Sequence, residues 1–217
     1  MVKTSITHPA WLHLRFLQRH ILDHIPKTGG GRALDVGCGS QPYRLEIEKY
    51  GFTYMGVDRT VSGAMDSTLR AEAGLLPFRS GSFHFLLCTQ VLTHVKDPFG
   101  AMREMGRVVE IGGCALISER QQWNVYSKED YWRFAPEGFR VLAEQGGFQV
   151  EKLIPEGGLW SRVGLRIAYF FYFKMPRMPI VTSFLITLSN MGFMVLDRFA
   201  HTQDEVVNHL AVCKKEK

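Results

Sequence analysis

The chain has 217 residues, 46% of them hydrophobic and 22% charged, with a formal net charge of +5. That length and balance suit one globular α/β domain of ordinary size with a substantial core. The charge is diffuse, with no Lys/Arg cluster interleaved with aromatics, so nucleic acid is not an expected partner.

Residues 1–10 hold neither a long apolar core nor a small-residue cleavage site, so no signal peptide is read and the cytoplasm is the expected compartment. Residues 10–25 place Trp11, Leu14, Leu17, Ile21 and Ile25 at helical spacing, and Pro26 with Gly29-Gly30-Gly31 ends this amphipathic helix. Its histidines, His13, His20 and His24, are expected on a solvated face; His20 and His24 are four apart, but no third metal ligand is evident. A short apolar run to Val36, a glycine turn and a helix over 43–50 follow. A second run ends at Asp58, and residues 67–72 form a weak third strand. The near-continuous apolar run 83–88 reads as a central parallel strand. A helix over 98–109 carries Phe99, Met102, Met105 and Val109 on one side and is stopped by Gly112-Gly113. Strand 114–118, helix 138–145 closed by Gly146-Gly147, strand 148–154 and strand 209–213 complete the order. Strands alternating with helices predict a doubly wound, mostly parallel seven-stranded sheet with helices on both faces. The cysteines Cys38, Cys88, Cys114 and Cys213 lie far apart and form no C-x-x-C pair, so they read as buried reduced thiols and no metal is expected. Lys214-Lys215 reads as a solvated tail.

The stretch that organises the chain is Ala33-Leu34-Asp35-Val36-Gly37-Cys38-Gly39-Ser40. A buried strand ends in an acid and breaks into two glycines, where a ligand meets backbone with no Cβ in the way. Strand, glycine turn and helix together form the ligand-side half of a doubly wound sheet. Dinucleotide enzymes want a third glycine where this chain has Pro42, which weakens the nicotinamide reading. A cofactor without phosphate, such as S-adenosylmethionine, needs only the turn. The acid ending the second strand, Asp58, suits a pair of ribose hydroxyls.

From about residue 31 to 158 the chain resembles class I S-adenosylmethionine-dependent methyltransferases of the type 11 group. Leu34-Asp35-Val36-Gly37-Cys38-Gly39-Ser40 resembles the family's first motif and Gly56-Val57-Asp58 its second. Leu76-Pro77-Phe78-Arg79-Ser80-Gly81-Ser82-Phe83 is similar to its "LPF…GSFD" block, and Gln90-Val91-Leu92-Thr93-His94-Val95-Lys96-Asp97-Pro98 to "QVLEHV.DP". The run from Glu104 to Gly113 is similar to "E..RVLKPGG". His84, Thr93 and Ile111 depart from the usual aspartate, glutamate and proline. The resemblance implies S-adenosylmethionine as cofactor. It implies that Asp35 orients the turn and reaches toward the methionine amino group, and that Gly37, Cys38 and Gly39 lie along the carboxylate and sulfonium. Asp58, with Arg59 beside it, would hold the ribose, Glu72 and Ala73 the adenine, and Thr89 and Gln90 the methyl-donor side.

Methyl transfer from a sulfonium is an in-line displacement in which alignment supplies most of the acceleration. A base is needed only when the acceptor must lose a proton, and His94, then Tyr131, are the candidates. Residues 121–139 are expected to recognise substrate, since the run from Glu129 to Phe139 resembles a "DYWRFTPEGF" segment of family members found near cell-surface sugar and lipid genes. Trp132 and Tyr131 would stack on a sugar or ring and Arg133 would pair with a carboxylate or phosphate; equally, Trp132 packs under the next helix and Arg133 meets a neighbouring acid.

Residues 159–199 are apolar and aromatic, and the nineteen residues 178–196 carry no charge. Arg162, Arg166, Lys174 and Arg177 stand among the aromatics before them. Three readings stay open: a buried helical cap, a peripheral membrane contact, or a span, for which about 20 residues are needed. The chain thus divides into an N-terminal helix (1–30), a cofactor-binding core (31–158), a hydrophobic insertion (159–200) and a final strand and tail (201–217). The expected function is S-adenosylmethionine-dependent methyl transfer to a small-molecule, sugar or lipid-linked acceptor, at oxygen. The alternatives are a catalytically inactive cofactor-binding partner subunit and a nicotinamide-dependent oxidoreductase.

Overall fold

The computed structural model describes residues 4–27, 29–60, 67–122, 127–175, 178–199 and 205–216. The elements run α1 (Trp11–His24), β1 (Gly31–Val36), α2 (Arg44–Lys49), β2 (Phe52–Asp58), β3 (Thr68–Arg70), β4 (Phe83–Thr89), α3 (Pro98–Val108), β5 (Val109–Arg120), α4 (Pro136–Gln145), β6 (Phe148–Glu156), α5 (Leu159–Lys174), α6 (Pro179–Phe199) and β7 (Asn208–Lys215). The strands form one seven-stranded sheet in the order β3-β2-β1-β4-β5-β7-β6. β7 pairs antiparallel with both β5 and β6; the other pairings are parallel.

The apolar runs are buried on both sides because alternate residues of a strand face alternate layers. Leu34, Val36, Leu86 and Cys88 pack with Met102, Met105, Phe139 and Leu142, so α3 and α4 cover one face. Ala33, Phe85, Leu87 and Leu210 pack with Leu17, Ile21 and Ile47, so α1 and α2 cover the other. Local chemistry sets the helix ends: Asp97 caps α3, its Oδ1 accepting from the Gly100 N–H at 2.8 Å, with Pro98 in the first turn.

Three expectations need correction. The helix expected to run to the Gly112-Gly113 pair ends at Val108, and β5 is already under way there, with Val109 paired to Phe83. The glycines sit at an irregularity between the Phe83 and Phe85 pairings and not at a helix stop. His13 is buried, because α1 also faces the end of β7 and its ring Nδ1 meets the Asn208 side-chain amide at 2.5 Å. Lys215 belongs to β7 and is buried, its ammonium donating to the Gly146 carbonyl, so only Lys214 matches the expected solvated tail.

Helices α5 and α6 pack as a hairpin, with residues 176 and 177, and so the expected cation Arg177, outside the described residues. Ser189 Oγ on α6 donates to the Gly164 carbonyl of α5 at 3.2 Å, and Asn190 Nδ2 donates to Ile6 O at 2.7 Å. The buried Asp197 carboxylate accepts from the Gly158 N–H at 3.1 Å and from the Ser161 hydroxyl, which fastens the start of α5 to the end of α6. Asp197→Ala strands those donors and is expected to destabilise the fold by about 1–3 kcal/mol in urea unfolding. An exposed control, Lys174→Ala, is expected to stay within about 0.5 kcal/mol.

Candidate active site

The strand order reverses between β1 and β4, and ligands of doubly wound sheets bind beyond the strand ends at such a point. There the Gly37 and Cys38 N–H groups both donate to Val57 O, at 2.8 and 3.1 Å. Gly37 has φ +71°, and a Cβ on it would lie 2.2 Å from Val91 Cγ2, so only glycine lets the turn press against the loop after β4. Gly39, at φ +49°, faces open space. Its N–H donates to Asp58 Oδ2 at 2.9 Å, while Asp58 Oδ1 accepts from the Thr60 N–H at 2.9 Å. The Thr60 hydroxyl also donates to Oδ1, at 3.3 Å, so it is Oδ2 that keeps a second lone pair for a ribose hydroxyl.

Asp35 is buried and accepts from the Tyr54 hydroxyl at 2.8 Å. Burial pushes its carboxyl up to about 7; the Tyr54 hydrogen bond opposes that, and the nearby charge of Asp58 adds to it. Arg59 pairs with Glu129 and so ties the tip of β2 to the segment before α4. Glu72 is exposed, with its carbonyl accepting from the Leu75 N–H at 3.0 Å. It stands with Ala73 just past β3, where the Ala71 N–H donates to Asp58 O at 3.1 Å. The two ribose-side candidates and the two adenine-side candidates therefore share the tips of β2 and β3.

At the tip of β4, Gln90 has φ +59°, unusual for a residue with a side chain and typical of positions that tertiary structure holds. Its Oε1 accepts from Arg120 Nε at 2.8 Å and its Nε2 donates to Ser118 Oγ at 3.0 Å. His94 Nδ1 lies 2.6 Å from the Glu129 carbonyl and its Nε2 3.5 Å from Arg120 Nη1. The turn Leu92–His94 hangs on Glu119, which is buried and accepts from the Val91, Leu92 and Thr93 N–H groups and from the Thr93 hydroxyl. Burial raises the Glu119 carboxyl despite those four donors. No sequence pattern pointed to Glu119, whose partners lie 26 to 28 positions away.

The expected substrate residues sit elsewhere. Trp132 donates its indole N–H to Val95 O at 3.0 Å and packs edge-on to Phe99. Arg133 is bidentate to Asp130, and Tyr131 is exposed, its N–H bonded to Thr93 O at 2.9 Å. None of the three lines the large cavity described next, and residues 123–126 of the expected recognition segment lie outside the described residues.

A cavity of about 910 Å³ opens between α1 and α5. Its floor includes Ser40, Tyr43, Thr89, Gln90 and Arg120, so it begins where the glycine turn and β4 end. Leu14, Leu165, Tyr169, Phe170 and Phe173 form apolar walls. Arg120, Arg162, Arg166 and Lys174 also line it, and no carboxylate does among the described residues. Glu205 pairs with Arg162. His13 sits in the wall; burial and the nearby Arg120 charge hold its imidazole down to about 3, so it is neutral near pH 7. Sequence reasoning saw Arg162 and Arg166 only as cations among aromatics; their spacing of four residues was the available sign of a shared helix face.

Residues 34–117 match a family model described as a methyltransferase domain. An uncharacterized methyltransferase of Mycobacterium sp. (strain JLS) is 35% identical over 42% of this chain and 40% of its own length. A ubiquinone biosynthesis O-methyltransferase of Albidiferax ferrireducens is 26% identical over 63% of the chain and 54% of its own. The chain thus spans roughly half the length of these curated relatives. Among solved structures, an S-adenosylmethionine-dependent methyltransferase from Mesorhizobium loti superposes with a TM-score of 0.58 at 14% identity, covering 95% of this chain and 97% of that one. The cyclase SpnF superposes at 0.65 with 16% identity, covering 95% and 82%. At such identities the likeness concerns the fold, which alone does not set the reaction.

Asp35 offers a pH test. Its folded pKa of about 7 lies above the unfolded value, so the stability it contributes is full below about pH 4 and is lost as pH rises through 7. Asp35→Asn removes that loss. Its melting temperature relative to the unmodified protein is expected to rise by several degrees between pH 5 and pH 8, as calorimetry would show.

Proposed function

We propose that the protein transfers a methyl group from S-adenosylmethionine to an oxygen of an amphipathic, anionic acceptor, a reading supported by the match of residues 34–117 to a methyltransferase-domain model. The observation that carries this reading is the meeting of two spaces at Gln90: open space over Gly39 on one side, a large cavity on the other.

The residues present fit the cofactor. Gly39 leaves room for it, Asp58 offers acceptors for a ribose, and Asp35 is a buried acid that a nearby ammonium would return to its charged form. When bound, the cofactor supplies an activated methyl on a sulfonium. The chain's own task is alignment, which is worth on the order of 7–11 kcal/mol in favourable cases. Glu119 holds the turn after β4, the Gln90 N–H donates to Ser118 O at 2.8 Å, and Arg120 holds the Gln90 side chain, so the methyl-donor side is shaped before ligand arrives. His94 Nε2 faces Arg120 in this state, so service as a base requires that pair to open.

The acceptor class follows from the cavity. About 910 Å³ lies near the top of the range for small-molecule sites, roughly 300–1,000 Å³. Aromatic walls suit an apolar body, and cations without a lining carboxylate suit a phosphate or carboxylate. That the relative from Albidiferax is an O-methyltransferase supports oxygen as the attacked atom.

Titration calorimetry with S-adenosylhomocysteine checks the cofactor half: saturable binding is expected, weakened at least tenfold by Asp58→Ala. Absence of heat, or an unchanged Asp58→Ala variant, would refute it. For the acceptor half, Arg166→Ala is expected to raise KM for an anionic amphiphile several-fold while leaving cofactor affinity alone.

A further inference from the structure

The hairpin of α5 and α6 is built inside out. Along α6, Ile180, Phe184, Leu188, Met191, Val195 and Phe199 recur every three or four residues and form one stripe. All six are exposed, Ile180 at 85% and Phe199 at 82%. The opposite stripe faces the protein and is mostly polar: Thr182, Ser189, Asn190 and Asp197 are buried, together with Ile186. A helix packed on a water-soluble domain normally shows the reverse arrangement. Tyr172 and Phe173 of α5 add to the exposed apolar surface.

The charges sort by sign. From residue 157 to 199 the only acid is Asp197, which is buried against Gly158 and Ser161. The exposed charges of the hairpin among the described residues are all positive: Arg166, Lys174 and Arg198. An apolar stripe bordered by cations without surface carboxylates complements an anionic bilayer surface.

α6 is also long and apolar enough to cross a membrane by length and composition alone. Its polar stripe argues against that position. The Thr182 hydroxyl donates to Met175 O at 2.6 Å and Ser189 to Gly164 O at 3.2 Å, while Asn190 holds Ile6 O and His8 O. A span would pull these groups from their partners into hydrocarbon. Lying flat keeps them paired and buries only the apolar stripe.

The geometry points to a peripheral membrane site: the exposed face of α5–α6 docks on an anionic lipid bilayer, with α6 in the plane of the interface. The cavity opens at the rim of that face, since Phe170, Phe173 and Lys174 line the cavity and are themselves exposed. An acceptor with an apolar tail then reaches the cavity along the membrane surface. The docking itself does not depend on the methyl-transfer reading.

Vesicle flotation of the full chain tests it. The protein is expected to float with equimolar phosphatidylglycerol/phosphatidylcholine vesicles and more weakly with pure phosphatidylcholine. The double variant Phe184→Glu/Leu188→Glu is expected to lose at least tenfold of that binding with its circular dichroism and melting unchanged, because both side chains are exposed. Lys174→Ala/Arg198→Ala is expected to weaken binding to the anionic vesicles alone. Failure to float with either vesicle, or flotation of the glutamate variant like the parent, overturns the proposal. So does a dimer in sedimentation that the glutamate variant dissolves while vesicles leave the protein unbound; the face then belongs to a second copy. Calorimetry with S-adenosylhomocysteine on the same variants reads the cofactor site separately.

Discussion

A single row of residues across three strands governs what stands over the site. β7 enters antiparallel between β5 and β6, so Arg120, Asn208 and Glu156 face one another at the ligand end of the sheet. The chain leaves the sheet after Glu156 and returns at Asn208. The helices α5 and α6 come between these two points, and α5 stands at the end of the sheet that carries the glycine turn, lining one cavity with Ser40 and Tyr43. Helix α1 is fastened to this row as well. His20 Nδ1 lies 3.3 Å from Glu156 Oε1, Asn208 Nδ2 donates to Glu156 Oε2 at 3.3 Å, and the same amide meets His13. Burial raises the Glu156 carboxyl while His20 and Asn208 oppose it, so the network has to be satisfied for the row to remain dry.

From that row the division of labour follows. Arg120 ends β5 beside Asn208 and reaches Gln90, which carries the row to the tip of β4. Glu119, one position earlier, holds the turn after β4. The proposed donor side thus rests on backbone glycines and two strand-end acids, Asp35 and Asp58, while the proposed acceptor side rests on helices that the β7 return places there. The two sides meet at Ser40, Tyr43, Thr89 and Gln90. The in-line displacement proposed for the protein needs this separation, with donor and acceptor approaching one point from opposite spaces.

The strand, the glycine turn and the two strand-end acids were legible in the sequence because they are local. An apolar run, an acid and two glycines within eight residues suffice to predict strand, turn and ligand face, and the second acid follows one βα unit later. The rest of the site depends on distant partners: Asn208 meets His13 across 195 positions, and Glu119 serves donors 26 to 28 positions away. No spacing rule reaches that far. Trp132 and Arg133 drew attention as ligand-binding types, yet the protein satisfies both, Arg133 through Asp130 three positions away and Trp132 through Val95, 37 positions away. The charge-free stretch 178–196 was visible, but not which stripe of α6 faces outward. That depends on Gly158, Gly164 and Ile6, which offer the partners its polar side chains need.

The central claim is that one rigid junction at Gln90 joins a cofactor cleft to an acceptor cavity. The most direct measurement is a crystal structure with S-adenosylhomocysteine bound. The account predicts the ribose on Asp58 and the sulfur between Gly39 and Gln90, facing the cavity between α1 and α5. A nucleoside held elsewhere, or a sulfur turned away from that cavity, would contradict it.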